Sequence, residues 1–148
     1  MQMTVDNLRI RLASVEEAVI NTPLPEIKGE LFPDDLGVSY QISVDVDRPR
    51  SLVAVDVTLT YMDDRLTLFS GSLKTSFSVV DLASYITMQE GDGEFRIESD
   101  FFPLLVETAF STARGYFARE LQDTPVAPYP FPMIAQENLL KRTTYQLR

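Results

Sequence analysis

Asp45-x-Asp47 on one apparent strand and Asp56 on the next bring together carboxylates, the oxygen ligands that hold a hard cation such as calcium. The simpler reading is carboxylates on the wet face of a sheet, and no metal is expected. Glu90-Gly-Asp92-Gly-Glu94 has the residue types of a calcium loop but neither its ligand spacing nor its terminal glutamate. Paired-carboxylate catalysis needs an acid held in an apolar concavity with a raised pKa. Only Glu107 and Glu120 lie near apolar surroundings, and both fall at the edge of a helix. Histidine is absent, which excludes a Ser-His-Asp arrangement and removes the commonest zinc ligand. Cysteine is absent too, excluding thiol nucleophiles and thiolate metal sites. A serine–lysine pair needs a buried lysine, and the pattern offers none. Phosphate-binding glycine loops are missing. The residues predict a protein that is not an enzyme and takes no cofactor.

The chemistry the sequence does carry is apolar contact. Phe101, Phe102, Phe110, Tyr116 and Phe117, followed by Tyr129, Phe131 and Met133, exceed what a small sheet needs to cover it. Phenylalanine, tyrosine and methionine serve either as core and subunit interface or as the adaptable walls of a groove for an extended polypeptide.

The elements that must position these residues are legible. From Phe101 to about Leu121, steps of about 100° place Phe102, Val106, Ala109, Phe110, Ala113 and Phe117 within one broad apolar stripe. Ser99 and Asp100 supply N-cap oxygens, and Pro103 falls in the first turn, where it is tolerated. A stripe broader than the ~100° of a surface helix predicts a second burial partner such as another subunit. Pro125, Pro128, Pro130 and Pro132 predict an extended crossing, since each disfavours helix in the residue before it. A short helix from Pro132 to Arg142 follows.

Upstream, Val38 to Val46 and Val53 to Tyr61 alternate apolar and polar residues, which predicts paired strands joined through Arg48–Ser51. Leu66 to Val79 predicts a third strand, with a phase slip near Gly71 that marks a bulge. Asn7 to Ile20 predicts a strand bulged near Ala13-Ser14, and Asn21 to Gly37 a proline-punctuated connection. The expected fold is α+β. A four-stranded antiparallel meander packs on one long helix plus a short C-terminal helix, in a single domain over 1–148, with 1–98 the sheet region and 99–142 helix, crossing and helix.

Composition narrows the partners. A net charge of −9 with lysine only at 28, 74 and 141 argues against nucleic acid and anionic lipid, which need basic patches. No apolar run reaches the ~18 residues of a membrane span, and no leader pattern opens the chain, so a cytoplasmic location and no membrane insertion are expected.

Element order and the C-terminal third resemble the SecB family of export chaperones and its divergent SecB-like relatives. The residues carrying this are Phe102-Pro103 with Glu107 a turn later, Arg114-Gly115, and the crossing Pro125-Val126 to Pro132 before Leu139-Leu140; upstream the likeness is one of strand layout and Pro23. The resemblance implies a homotetramer built as a dimer of dimers, with the long helices layered between sheets. It also implies ATP-independent holding of unfolded clients in apolar grooves near the crossing, for a SecA-type motor or a dedicated protein partner. Classical members carry a polar tail and acidic outer-face residues for the motor. Glu17 corresponds to one of these, whereas Asn21 and Ser70 stand where others are expected and no such tail follows the last helix, which favours the dedicated partner.

Two function classes follow. The first is a holdase with a client groove around Phe77, Tyr129, Phe131 and Met133, its subunits joined through Phe102, Val106, Ala109, Phe110, Ala113 and Phe117. The second is a scaffold docking a basic partner on an acidic sheet face of Glu17, Asp45, Asp47 and Asp56.

Overall fold

Alternation builds the sheet. In β2 (Leu36–Asp47) and β3 (Leu52–Asp63) every second residue points to one face, and from Val53 to Tyr61 each inward residue of β3 is buried. The strands run antiparallel in unbroken register, so Ile42 lies opposite Val57 and Val44 opposite Val55. β4 (Leu66–Val79) continues the meander on the far side of β3, with Leu73 opposite Val57. The computed structural model describes residues 10–21, 36–63, 66–88, 95–97 and 101–148.

Two features depart from the expected four-stranded meander. β1 (Ile10–Asn21) pairs with β4, at the opposite side of the sheet from β2, so only β2, β3 and β4 form a meander. A fifth strand, β7 (Thr143–Leu147), adds in parallel to β2 and gives the order β1-β4-β3-β2-β7. Parallel pairing is available here because the long helix and the crossing carry the chain back between β2 and β7, the kind of connection parallel neighbours require. Between β4 and the helix, a single 3-10 turn (Leu82–Tyr85) leads into a two-stranded ribbon of β5 (Ile86–Met88) and β6 (Phe95–Ile97).

α1 (Phe101–Glu120) follows and packs across β3 and β4. The proposed N-cap residues Ser99 and Asp100 lie outside the described residues, as does the acidic glycine turn of 90–94. The helix end tightens into turns: the Thr124 hydroxyl donates to the Leu121 carbonyl at 2.7 Å, and the Ala127 and Tyr129 amides close further turns on Thr124 and Val126. The crossing is therefore coiled over 121–129 and extended only from Pro130 to Ala135. α2 (Gln136–Lys141) starts later than the proline spacing implied. Ala135, immediately before the helix, is still extended.

The core lies between the sheet's inner face and α1. Phe69, Leu73, Val57 and Leu59 meet Ala109, Ala113 and Phe117 there, all 0–2% exposed. Gly71 marks the closest approach, since a Cβ there would fall 2.6 Å from the Phe117 ring and 2.7 Å from that of Phe69. No helix among the described residues is long and apolar enough to cross a membrane.

Candidate functional site

Tyr61, near the end of β3, faces inward and is 4% exposed. Its hydroxyl cannot be left without a partner at that depth, and it donates to the Tyr129 carbonyl at 2.8 Å. Burial pushes the phenol up to about 12, against the opposing pull of the Arg114 cation. Arg114 leaves α1 on the same side, and its Nε donates to the Phe131 carbonyl at 3.1 Å. Two side chains thus fix alternate carbonyls of one short stretch of crossing. Between them the Phe131 ring meets Tyr61 edge-on at 5.8 Å and Phe110 at 6.0 Å.

This bracing frames a cavity of about 50 Å³, open on one side. A single water needs roughly 10–15 Å³ measured this way, so the space takes a small apolar group. Leu59, Phe117, Leu121, Val126 and Phe131 wall it, with Arg114 as the one cation among the described lining residues. Met133, two residues beyond Phe131, is 82% exposed on the extended stretch, and Tyr129 is half-buried.

The four residues assigned to a groove do not converge. Tyr129, Phe131 and Met133 share the crossing, and Phe131 forms its buried floor. Phe77 is 4% exposed and lies eight positions along β4 from Phe69, which pairs with Tyr61. At about 3.3 Å per strand residue it sits some 26 Å from the cavity end of the sheet. Period-2 alternation told that Phe77 faces inward, and an inward position under a helix is core.

The helix stripe is also resolved. Phe102, Val106, Ala109, Phe110, Ala113 and Phe117 are all 0–7% exposed within the single chain. Their broad arc is filled by several partners at once: Tyr145 of β7 stacks on Phe102 at 5.4 Å, Tyr40 meets Phe110 at 5.6 Å, and Phe69 meets Phe117 at 5.4 Å. The unforeseen fifth strand supplies part of the second burial surface. A subunit contact through α1 has only the outward side to use, around Leu104, Thr108 and Ser111.

The acidic residues are divided between the two faces of the sheet. Asp45, Asp47 and Asp56 belong to the outward rows, whereas Glu17 lies opposite inward-facing Leu73 and accepts a hydrogen bond from the Tyr116 hydroxyl of α1. The register shift at Leu12/Ser14 causes this, because an extra residue reverses which face the following ones meet. On the outward face, Asp45 pairs with Arg148 at 3.0 Å and Asp47 with Arg50 at 3.8 Å. Lys74 stands in register between Asp56 and Glu16. Burial raises the Asp56 carboxyl above its usual range, with the Lys74 charge opposing. Among the described residues that face is a mixed field of both charges edged by hydroxyl pairs such as Thr58–Ser72 at 2.6 Å, not a continuous negative surface of the kind a basic partner needs.

Tyr61 and Leu59 line the cavity without having been singled out from the sequence as site residues, and Arg114 was marked only through the family resemblance. The available signal was Tyr61 on the oily side of its strand, a position where a phenol has to find an acceptor.

No family model and no curated protein sequence matches this chain. Among solved structures, the fold is similar to that of the Mycobacterium tuberculosis Rv1957 SecB-like chaperone, in complex with a ChAD peptide from the Rv1956 HigA1 antitoxin. The TM-score is 0.53 at 10% sequence identity, over 88% of this chain and 94% of that one. The likeness establishes the layout: an α+β fold with a mostly antiparallel sheet carrying a long helix, as in SecB-like proteins.

Proposed function

We propose that this protein is an ATP-independent holdase that binds non-native polypeptide at the crossing, in the cytoplasm and without catalytic chemistry of its own. The observation that carries the proposal is the apolar cavity, held by the Tyr61 and Arg114 anchors, with Met133 exposed two residues beyond its Phe131 wall. Methionine exposed to this degree on a braced, extended stretch offers adaptable contact to varied apolar side chains. Leu12, 62% exposed, and Val15, 41% exposed, add apolar surface on the inward side of the edge strand β1. Binding of an antitoxin peptide by the structural neighbour is a precedent for one dedicated protein partner, which we propose over a translocase motor. Self-association in the proposal uses the outward side of α1.

The test is suppression of aggregation of a chemically unfolded client at stoichiometric protein, without nucleotide. Protection undiminished at high salt supports apolar binding. Absence of protection from a well-folded sample overturns the proposal.

A further inference from the structure

We infer that the crossing cavity reads the C-terminus of its polypeptide ligand: an apolar last residue enters the cavity and its α-carboxylate meets the Arg114 guanidinium. The inference rests on the proposed polypeptide-binding role of the crossing and specifies what is bound there.

Among the described residues of a mostly apolar and aromatic wall, Arg114 is the one that carries a charge. Ion pairs among the described residues join Asp47 to Arg50 and Asp45 to Arg148, and none reaches Arg114. Its Nε is engaged by the Phe131 carbonyl, which fixes the plane of the guanidinium, and neither Nη atom donates to a described residue. A planar fork with one edge anchored and the other available is the geometry that receives a carboxylate. In a chain of net charge −9, a cation placed beside a cavity with no acidic partner among the described residues is set toward an anion from outside.

The size of the cavity selects the source of that anion. About 50 Å³ admits a single small apolar side chain. A chain end brings apolar side chain and carboxylate on the same residue, separated by one Cα. An internal acidic residue would need a second residue to fill the cavity and a longer reach to the cation. An internal apolar residue alone would cover the guanidinium with neutral amides, and covering a charge without a counter-charge is costly.

The experiment measures binding of the full chain to three fluorescently labelled peptides of common sequence. One ends in leucine with a free carboxylate, one in leucine carboxamide, and one carries an internal Leu-Asp with an amidated end. The free acid is expected to bind about 10-fold more tightly than either amide, as one charge-assisted contact gives. Arg114→Gln should abolish the preference, so that the free acid and the amide bind alike whatever their common affinity, while Arg114→Lys retains part of it. Equal binding of acid and amide overturns this inference and leaves the holdase proposal standing. A Leu-Asp amide that matches the free acid overturns the assignment to a chain end. Binding of none of the three overturns both. The acid–amide comparison uses the unsubstituted protein, so it stands even where Arg114→Gln disturbs folding.

Discussion

The Tyr61 hydroxyl donates to the Tyr129 carbonyl at 2.8 Å, joining β3 to the crossing across 68 residues of chain. With the Arg114–Phe131 bond, it makes the crossing a wall fixed to the sheet. Tyr61→Phe keeps the ring contact with Phe131 and removes the hydroxyl. A loss of about 1 kcal/mol is expected by urea unfolding, with faster amide exchange concentrated over residues 127–131 rather than spread through the sheet.

The same hydroxyl sets an alkaline limit. Its folded value, about 12, lies above the unfolded value of 10. The neutral phenol therefore stabilises the fold fully below pH 10, and this contribution is lost as pH rises from 10 toward 12. Tyr116, whose hydroxyl donates to Glu17, is also pushed up to about 12. Stability measured across that window should fall for the parent protein and fall less steeply for Tyr61→Phe, with the Tyr116 share remaining. An identical slope in both would contradict the placement of the Tyr61 hydroxyl.

Gly71→Ala drives a methyl group into the Phe117 and Phe69 rings. Overpacking of this kind costs about 1–3 kcal/mol, readable as a lower urea midpoint with unchanged slope. Phe117→Leu in the same chain should recover part of the loss by opening the contact.

Ala113, 0% exposed, sits at the centre of the helix–sheet core. Ala113→Asp buries a charge there without a partner, at a cost of several kcal/mol. The chain is expected to unfold as a monomer, not merely to dissociate. Native far-ultraviolet dichroism and cooperative melting in this variant would refute the core assignment.

Phe131 and Met133 separate stability from binding. Phe131→Ala removes a ring held against Tyr61 and Phe110 and should cost about 3–5 kcal/mol. Met133→Ser alters a side chain that is 82% exposed and should change stability by less than about 0.5 kcal/mol. Its effect is expected in client protection alone, as a higher protein-to-client ratio needed for half-suppression.

The sequence pattern was most informative where one periodicity ruled a whole element. β2, β3 and α1 lie where alternation and the 100° step put them, and their inward residues form the core from Ile42 to Val46 of β2, Val53 to Tyr61 of β3 and Phe102 to Phe117 of α1. It was least informative where a single residue altered the count. The bulge read near Ala13-Ser14 is present as a register shift and carries Glu17 to the helix side, but a second shift at Glu17/Val19 was silent. Gly71 was read as the bulge of β4. The shift there lies opposite Tyr61/Met62, leaving Leu68 as the extra residue, while Gly71 serves the Phe117 ring. β7 carries only Thr143, Tyr145 and Leu147 on its inward side, too few alternations to announce a strand, and its partner β2 is about a hundred residues away (Ser43 to Thr144, 101). The cavity depended on tertiary placement of Arg114, a residue outside the apolar stripe of α1 that periodicity picks out.

Amide hydrogen exchange of the protein with and without an unfolded client addresses the polypeptide-binding claim most directly. The account predicts that client binding slows exchange chiefly over residues 121–135 and the neighbouring turn of α1 around Arg114, without nucleotide. Protection confined to the outward sheet face around Asp45, Asp56 and Lys74, or no change at all in the presence of a bound client, would contradict it.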